Sequence, residues 1–328
     1  MRNHLRLWHW RRGLPSVLMG FLISAYGCQR QGVPQEYTFL VLARTLRNDF
    51  HASLVAGTKA AATEQNVSLR IYAAETEGDY TFQERHLLEV IEQKDVDGVV
   101  LEPAHPTKLL PALSKLDEQG IPFIVVDMPL EFSEDAFFSH YCGFIGTDNR
   151  RGGNLAAEYI GNTVKTGKVL LMRGIRTHRT SHDREIGFLE MIKKYPKIQI
   201  ASIIEGQWSS TGARTAIASV SRDKLSTIRA VFAYNDLMAI GLAEVFRQYH
   251  LRPVIVGYDG LVEAQSAIIA GHIDATVTQA PEVMGQRAIA RLRQCIKQKS
   301  YPGDSELTHV TLLMATRTLT AVSNYEQK

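Results

Sequence analysis

One alternation constrains this chain more than any other feature. From Tyr37 onward, short runs rich in Val, Ile and Leu alternate with segments whose apolar residues recur at helical spacing. The runs are Phe39–Ala43, Ser68–Ala73, Gly98–Leu101, Pro122–Val126, Gly143–Gly146, Lys168–Met172, Gln199–Ile204, Arg229–Ala233, Pro253–Val256 and Ala275–Thr278. They show little polar alternation, as parallel strands covered on both faces should. Between them, Met238, Leu242, Val245, Phe246 and Tyr249 mark one amphipathic helix, and Met284, Ala288, Leu292 and Ile296 mark another. Repeated strand–helix alternation predicts an α/β fold with right-handed crossovers. About ten such strands exceed one comfortable open sheet, so two sheets in two lobes are expected. A length of 328 residues agrees with two domains.

Polar residues stand where such strands end. Arg44 follows Phe39–Ala43, Asp127 follows Ile124–Val126, and Asn235 follows Val231–Tyr234. Asp259 follows Ile255–Tyr258, and Gln279 follows Ala275–Thr278. Open parallel sheets bind ligands in the crevice beyond the carboxyl ends of their strands. Phe50, with His51 beside it, and Trp208 lie in segments just beyond strand ends. Carboxylates and amides beside aromatic faces suit a small polyhydroxylated ligand, since Asp accepts from hydroxyls while rings cover a sugar's C–H surface. The alternative is that strand-end Asp and Asn merely cap the following helices.

The N-terminus reads as an export signal. Residues 1–12 are basic, and Leu14–Ala25 form an apolar stretch too short to be a comfortable membrane span. Ala25-Tyr26-Gly27-Cys28 then resembles a bacterial lipoprotein signal, in which Cys28 is lipidated after removal of residues 1–27; ordinary signal cleavage nearby is the alternative. The Arg11-Arg12 pair admits twin-arginine export, but nothing downstream demands a cofactor inserted before export, so general secretion is preferred. Four of the 37 basic side chains fall in the first 27 residues, which hold no acid, and the other 33 stand against 34 acids. No basic surface for nucleic acid is implied. Cys28, Cys142 and Cys295 are too few for a disulfide framework. A Cys142–Cys295 bridge remains open, with two separately buried thiols preferred.

The strand-end residues sit in motifs: Thr45-Leu46-Arg47-Asn48-Asp49-Phe50, the Gly98–Pro103 run, Ile121–Asp127, and Ile145-Gly146-Thr147-Asp148-Asn149. Arg184 with Gly187-Phe188 follows, then Ala230–Asp236, Val256-Gly257-Tyr258-Asp259-Gly260 and Ala275–Gln279. In this order and spacing they resemble periplasmic sugar-binding proteins of the ribose/galactose type, the solute-binding components of ABC importers, over residues 37–316. The resemblance implies two interleaved Rossmann-like lobes joined by a three-strand hinge, residues 37–147 with 280–308 and 148–279 with 309–328. It places ligand contacts on Asn48, Phe50, Asp127, Arg184, Trp208, Asn235, Asp259 and Gln279, with Phe50 and Trp208 sandwiching the sugar ring. It also implies hinge closure of the lobes around the ligand, a domain motion for which periplasmic binding proteins are a standard example.

Three departures bear on specificity. Met128 stands where the ribose-binding pattern has a sugar-contacting arginine, His51 replaces a second aromatic, and Arg44 replaces a small polar residue. Arg44 either favours an acidic or modified sugar or pairs with a nearby acid. Met128, Arg44 and His51 are therefore further candidate contacts.

Other function classes fit less well. No GxG triplet, P-loop, HExxH or GxSxG is present. His178 and His182, four apart, are read as helix-start histidines rather than metal ligands, and Asp127 and Asp259 as acceptors rather than an acid–base pair. No catalytic residue, metal or cofactor is expected. A repressor of the lactose-repressor type shares the core but would carry a helix-turn-helix of about 50–60 residues where a signal-like segment stands here. The expected protein is an exported monomer that binds a small sugar for an ABC permease. The competing reading is a sensor that presents its loaded form to a membrane receptor or histidine kinase.

Overall fold

In the computed structural model, residues 36–132 and 138–314 are described, and each of the ten apolar runs is a strand. The first five are β1 (Tyr37–Thr45), β2 (Val67–Ala74), β3 (Gly98–Leu101), β4 (Phe123–Asp127) and β5 (Tyr141–Thr147). The next five are β6 (Gly167–Arg173), β7 (Ile198–Glu205), β8 (Ile228–Ala233), β9 (Val254–Asp259) and β10 (Ala275–Thr278). Two more short strands follow, β11 (Ser305–Thr308) and β12 (Thr311–Met314). Helices fill the intervals: α1 (Asp49–Glu64), α2 (Tyr80–Gln93), α3 (Leu110–Glu118), α4 (Asn149–Val164) and α5 (Arg179–Ile192). Then come α6 (Ser210–Ala218), α7 (Arg222–Ser226), α8 (Asp236–Gln248), α9 (Val262–Ile269) and α10 (Pro281–Gln298). Residues 1–27 and Cys28 lie outside the described residues.

The strands form two six-stranded sheets, ordered β2-β1-β3-β4-β5-β11 and β7-β6-β8-β9-β10-β12. Pairing is parallel throughout except for β12, which runs antiparallel to β10. Central strands are dry on both faces: β4 and β5 are buried along their whole length, whereas the edge strand β7 alternates. This is why the central runs read as continuous Val and Ile. The chain passes between sheets three times, after β5, after β10 and between β11 and β12. The α/β two-lobed expectation holds.

Helix α10 follows a strand of the second sheet yet packs on α1 and on β3, β4 and β5 of the first. Its Met284, Ala288 and Leu292 are fully buried, as their spacing predicted. In each sheet the winding direction reverses beside the first strand, between β1 and β3 and between β6 and β8. Loops leaving those paired strands diverge to opposite faces and leave a crevice at the carboxyl ends. The two crevices supply the site.

Candidate ligand-binding site

A polar cavity is lined by residues from both sheets. The first sheet contributes Arg44, Asn48, Phe50, His51, Glu77 and Asp127; the second contributes Thr180, Arg184, Trp208, Asn235, Asp259 and Gln279. All eight residues assigned by resemblance, together with Arg44 and His51, therefore meet at one place. Met128 does not line it. It is fully buried one residue past β4, where Asp127 takes a positive φ of 63° and breaks the strand's alternation. Glu77 and Thr180 line the cavity without having been singled out from sequence.

Arg44 leaves the end of β1 and donates through Nη2 to Asp127 at the end of β4. Its Nε lies 3.7 Å from Glu102, and its backbone N–H donates to Glu102 Oε2 at 3.1 Å. Glu102, the residue after β3, is 1% exposed. It also bonds His51 Nδ1 at 2.5 Å, while His51 Nε2 lies 3.4 Å from Glu77. Burial opposes charge on His51, but the Glu102 carboxylate, helped by Glu77, outweighs it and pushes the imidazole up to about 10. Burial likewise penalises an ionised Glu77, yet its bonds to His51 and Asn48 hold it down at about 2. Arg44 thus pairs with nearby acids while still lining the cavity. Phe50 meets His51 edge-on at 5.3 Å, so the imidazolium supports the ring as well as the carboxylates.

Across the cleft, Arg184 is held on every side. Its Nε donates to Asn149 Oδ1 at 2.7 Å, its Nη1 donates to the Tyr234 carbonyl, and Nη1 lies 3.8 Å from Asp259. Its guanidinium stacks 3.6 Å from the Tyr258 ring centroid and 5.5 Å from that of Trp208. The placement depends on close packing of α4 against α5. A Cβ at Gly153 would come within 2.1 Å of the Arg184 carbonyl, and one at Gly187 within 1.9 Å of the Arg150 carbonyl. Trp208 has a similar requirement: a Cβ at Gly174, just after β6, would lie 2.0 Å from its indole. The indole N–H donates to His178 Nδ1 at 3.0 Å. Burial keeps His178 neutral, lowering it to about 3, as an acceptor must be.

The capping alternative is met by two residues that do both jobs. Asn235 Oδ1 accepts from Met238 N at the start of α8 while its amide donates to the Trp208 carbonyl at 2.9 Å. Asn48 caps α1 and donates to Glu77. Asp127 and Asp259 cap no helix. Asp259, at φ 121°, receives Gln279 Nε2 at 2.7 Å, and Gln279 Oε1 accepts from Thr147, so one amide ties both hinge strands to the site. Burial raises Asp259 to about 7, against the pull of Arg184. Asp236, not marked out by the sequence, fixes this turn by accepting from Gly260 and Leu261 N–H at 2.8 Å each and from Thr276 at 2.6 Å. Three basic side chains (Arg44, His51, Arg184) face four acidic ones (Glu77, Glu102, Asp127, Asp259).

A sequence profile described as a periplasmic binding protein domain matches residues 39–300. The chain belongs to that family. It is 25% identical over 258 residues to the ribose import binding protein of Bacillus subtilis, covering 78% of this chain and 81% of the relative. It is 26% identical to the D-allose-binding periplasmic protein of Escherichia coli, covering 75% and 80%. Among solved structures, an ABC transporter solute-binding protein of Actinobacillus succinogenes with bound D-allose superposes with a TM-score of 0.78 at 25% identity, over 85% of this chain and 98% of that one. One from Agrobacterium vitis with bound D-fucose gives 0.77 at 26%, over 87% and 97%. The polar cavity lies between the two sheets. Among the described residues, no helix is long and apolar enough to cross a membrane, and no cluster of His, Cys, Asp and Glu could hold a metal.

Proposed function

We propose that this protein is an extracytoplasmic solute-binding protein that closes its two lobes around a small neutral sugar or polyol and hands it to an ABC permease. The lobes are residues 37–147 with 280–308 and 148–279 with 309–328, and the protein works as a monomer. Residues 1–27 act as its export signal, with lipidation at Cys28 as the anchor. The carrying observation is charge balance in the cavity. Arg44 is already paired with Asp127 and Glu102, and Arg184 is already bonded to Asn149 and Tyr234. Each cation already faces a carboxylate of the protein, Arg44 with Asp127 and Glu102 and Arg184 with Asp259 at 3.8 Å, whereas Asp127, Asp259, Asn235 and Gln279 retain lone pairs or amide hydrogens for hydroxyls. Relatives named for ribose and D-allose binding support a neutral sugar as the class.

The test is a thermal-shift panel of neutral pentoses, hexoses and polyols beside matching uronic acids and sugar phosphates. At least one neutral compound should raise the melting temperature in a saturable way, since binding to the native state stabilises it. Stabilisation by the acids alone would overturn the reading.

A further inference from the structure

A second pocket opens between the two sheets and shares no lining residue with the ligand cavity. His105, in the loop after β3, and Glu131, in the loop after β4, stand on one wall; Arg176, His178, Arg179 and His182, where the chain enters α5, stand on the other. Two of these histidines are fixed as hydrogen-bond donors. His178 Nδ1 accepts from the Trp208 indole at 3.0 Å, so its proton is on Nε2. The residue is only 2% exposed, and that Nε2–H bonds to nothing among the described residues. The ring lines the pocket with its Nδ1 edge turned to Trp208, which directs the Nε2–H into the pocket. His105 Nδ1 likewise accepts from the backbone N–H groups of Thr107 and Lys108, at 3.2 and 3.3 Å, leaving Nε2–H as its donor.

The rest of the wall adds donors. Helix α5 starts without a side-chain cap, and the backbone N–H groups of Arg179 and Thr180 in its first turn carry no hydrogen bond among the described residues. Arg179 Nε is occupied by both Asp183 oxygens, at 3.0 and 3.1 Å, which leaves its Nη groups unbonded. Arg176 makes no ion pair among the described residues. Burial opposes charge on both donor histidines, helped by Arg44 at His178 and by Lys108 at His105, so they act as neutral donors. Glu131 is the one carboxylate on the wall among the described residues.

We propose that this pocket is a site for a small oxyanion of the phosphate or sulfate type, held by the Nε2–H groups of His178 and His105, the Arg176 guanidinium and the open N-terminus of α5. Such an ion offers acceptors on every side, and its charge is favoured by the helix end and by an arginine with no acid of its own. Because each wall belongs to a different sheet, the bound ion would join the two halves of the molecule. His178 also holds Trp208, so a single hydrogen bond links the oxyanion site to the ligand cavity.

The experiment titrates inorganic phosphate into the purified full chain in phosphate-free buffer at constant ionic strength, followed by calorimetry and by proton–nitrogen NMR spectra of the histidine rings. Saturable binding is expected, with the Nε2 resonances of His105 and His178 shifting along the same curve. Arg176→Ala should weaken it about tenfold or more, and Glu131→Gln should tighten it. Both residues are exposed, so neither change should disturb the fold. No saturable binding, or equal binding by the parent and both variants, would overturn the proposal. D-Ribose 5-phosphate is titrated in parallel, because a sugar could carry the same oxyanion; a response to the ester with none to inorganic phosphate would overturn a free-ion site. The phosphate readout involves no sugar in the ligand cavity, so its failure is distinct from failure of the neutral-sugar reading.

Discussion

Replacing His51 by Gln tests the electrostatic frame on which the first-sheet side of the cavity stands. The imidazolium lies between Glu102 at 2.5 Å and Glu77 at 3.4 Å, with its side chain 3% exposed. Its pKa of about 10 in the fold exceeds the 6.5 expected unfolded. Because the folded value is the higher one, the stabilisation is complete below pH 6.5 and is lost as pH rises toward 10. At 1.36 kcal/mol per unit the shift corresponds to roughly 5 kcal/mol, and measured costs of breaking buried pairs, about 3–5 kcal/mol, set the working range. Gln keeps an N–H donor but no charge, so His51→Gln leaves two buried carboxylates facing each other and should cost about 3–5 kcal/mol at pH 7. Urea unfolding of both proteins from pH 6 to pH 10 is the assay. The gap between the two stability curves should narrow steadily with pH as the parent chain loses its advantage. Parallel curves would show that His51 is not charged in the fold, and the ion network would have to be redrawn.

Three further outcomes are expected. Asp259 has its folded pKa raised to about 7 against an ordinary value of 3.8, so the folded chain holds an extra proton between those values and loses stability as pH rises across that window. Asp259→Asn should flatten this slope in urea melts from pH 4 to 7 and should cut sugar affinity at least tenfold by removing an acceptor; an unchanged slope would contradict the assignment. Gly174→Ala should push the Trp208 indole off its seat, at a cost of about 1–3 kcal/mol, and shift its emission; an unaltered spectrum and stability would refute the close approach. Cys28→Ser should move the protein from the membrane to the soluble envelope fraction, and continued membrane fractionation would exclude lipidation as the anchor.

The parts of the site legible in the sequence were those fixed by local order. A parallel strand delivers the residue at its carboxyl end to the crevice, so Arg44, Asp127, Asn235 and Asp259 could be placed before any contact was known. Glu102 carries the same signal, immediately after β3, but its function lies in its partners, which are 58 and 51 residues away in sequence. Glu77 sits in a loop beyond β2 with no apolar pattern to locate it. Met128 was misleading for a local reason, since the turn at Asp127 sends the next side chain into the core. β11 and β12 escaped notice because their short segments are half-exposed, and Ser305–Thr308 contains a single apolar residue. Whether Arg44 meets a ligand carboxylate or an acid of its own chain depends on side-chain geometry that a linear sequence does not contain.

Capture of a neutral sugar between the lobes can be read from Trp208. It lines the cavity against Arg184, and Trp8 and Trp10 are the chain's other tryptophans. With those two changed to Phe, emission is followed while neutral sugars and their uronic acids are titrated in turn. A neutral sugar should give a saturable change that is absent in Asp259→Asn, and the corresponding acid should give none at the same concentration. A silent tryptophan across every neutral sugar, or a response to the acid alone, would contradict neutral-sugar binding at this site.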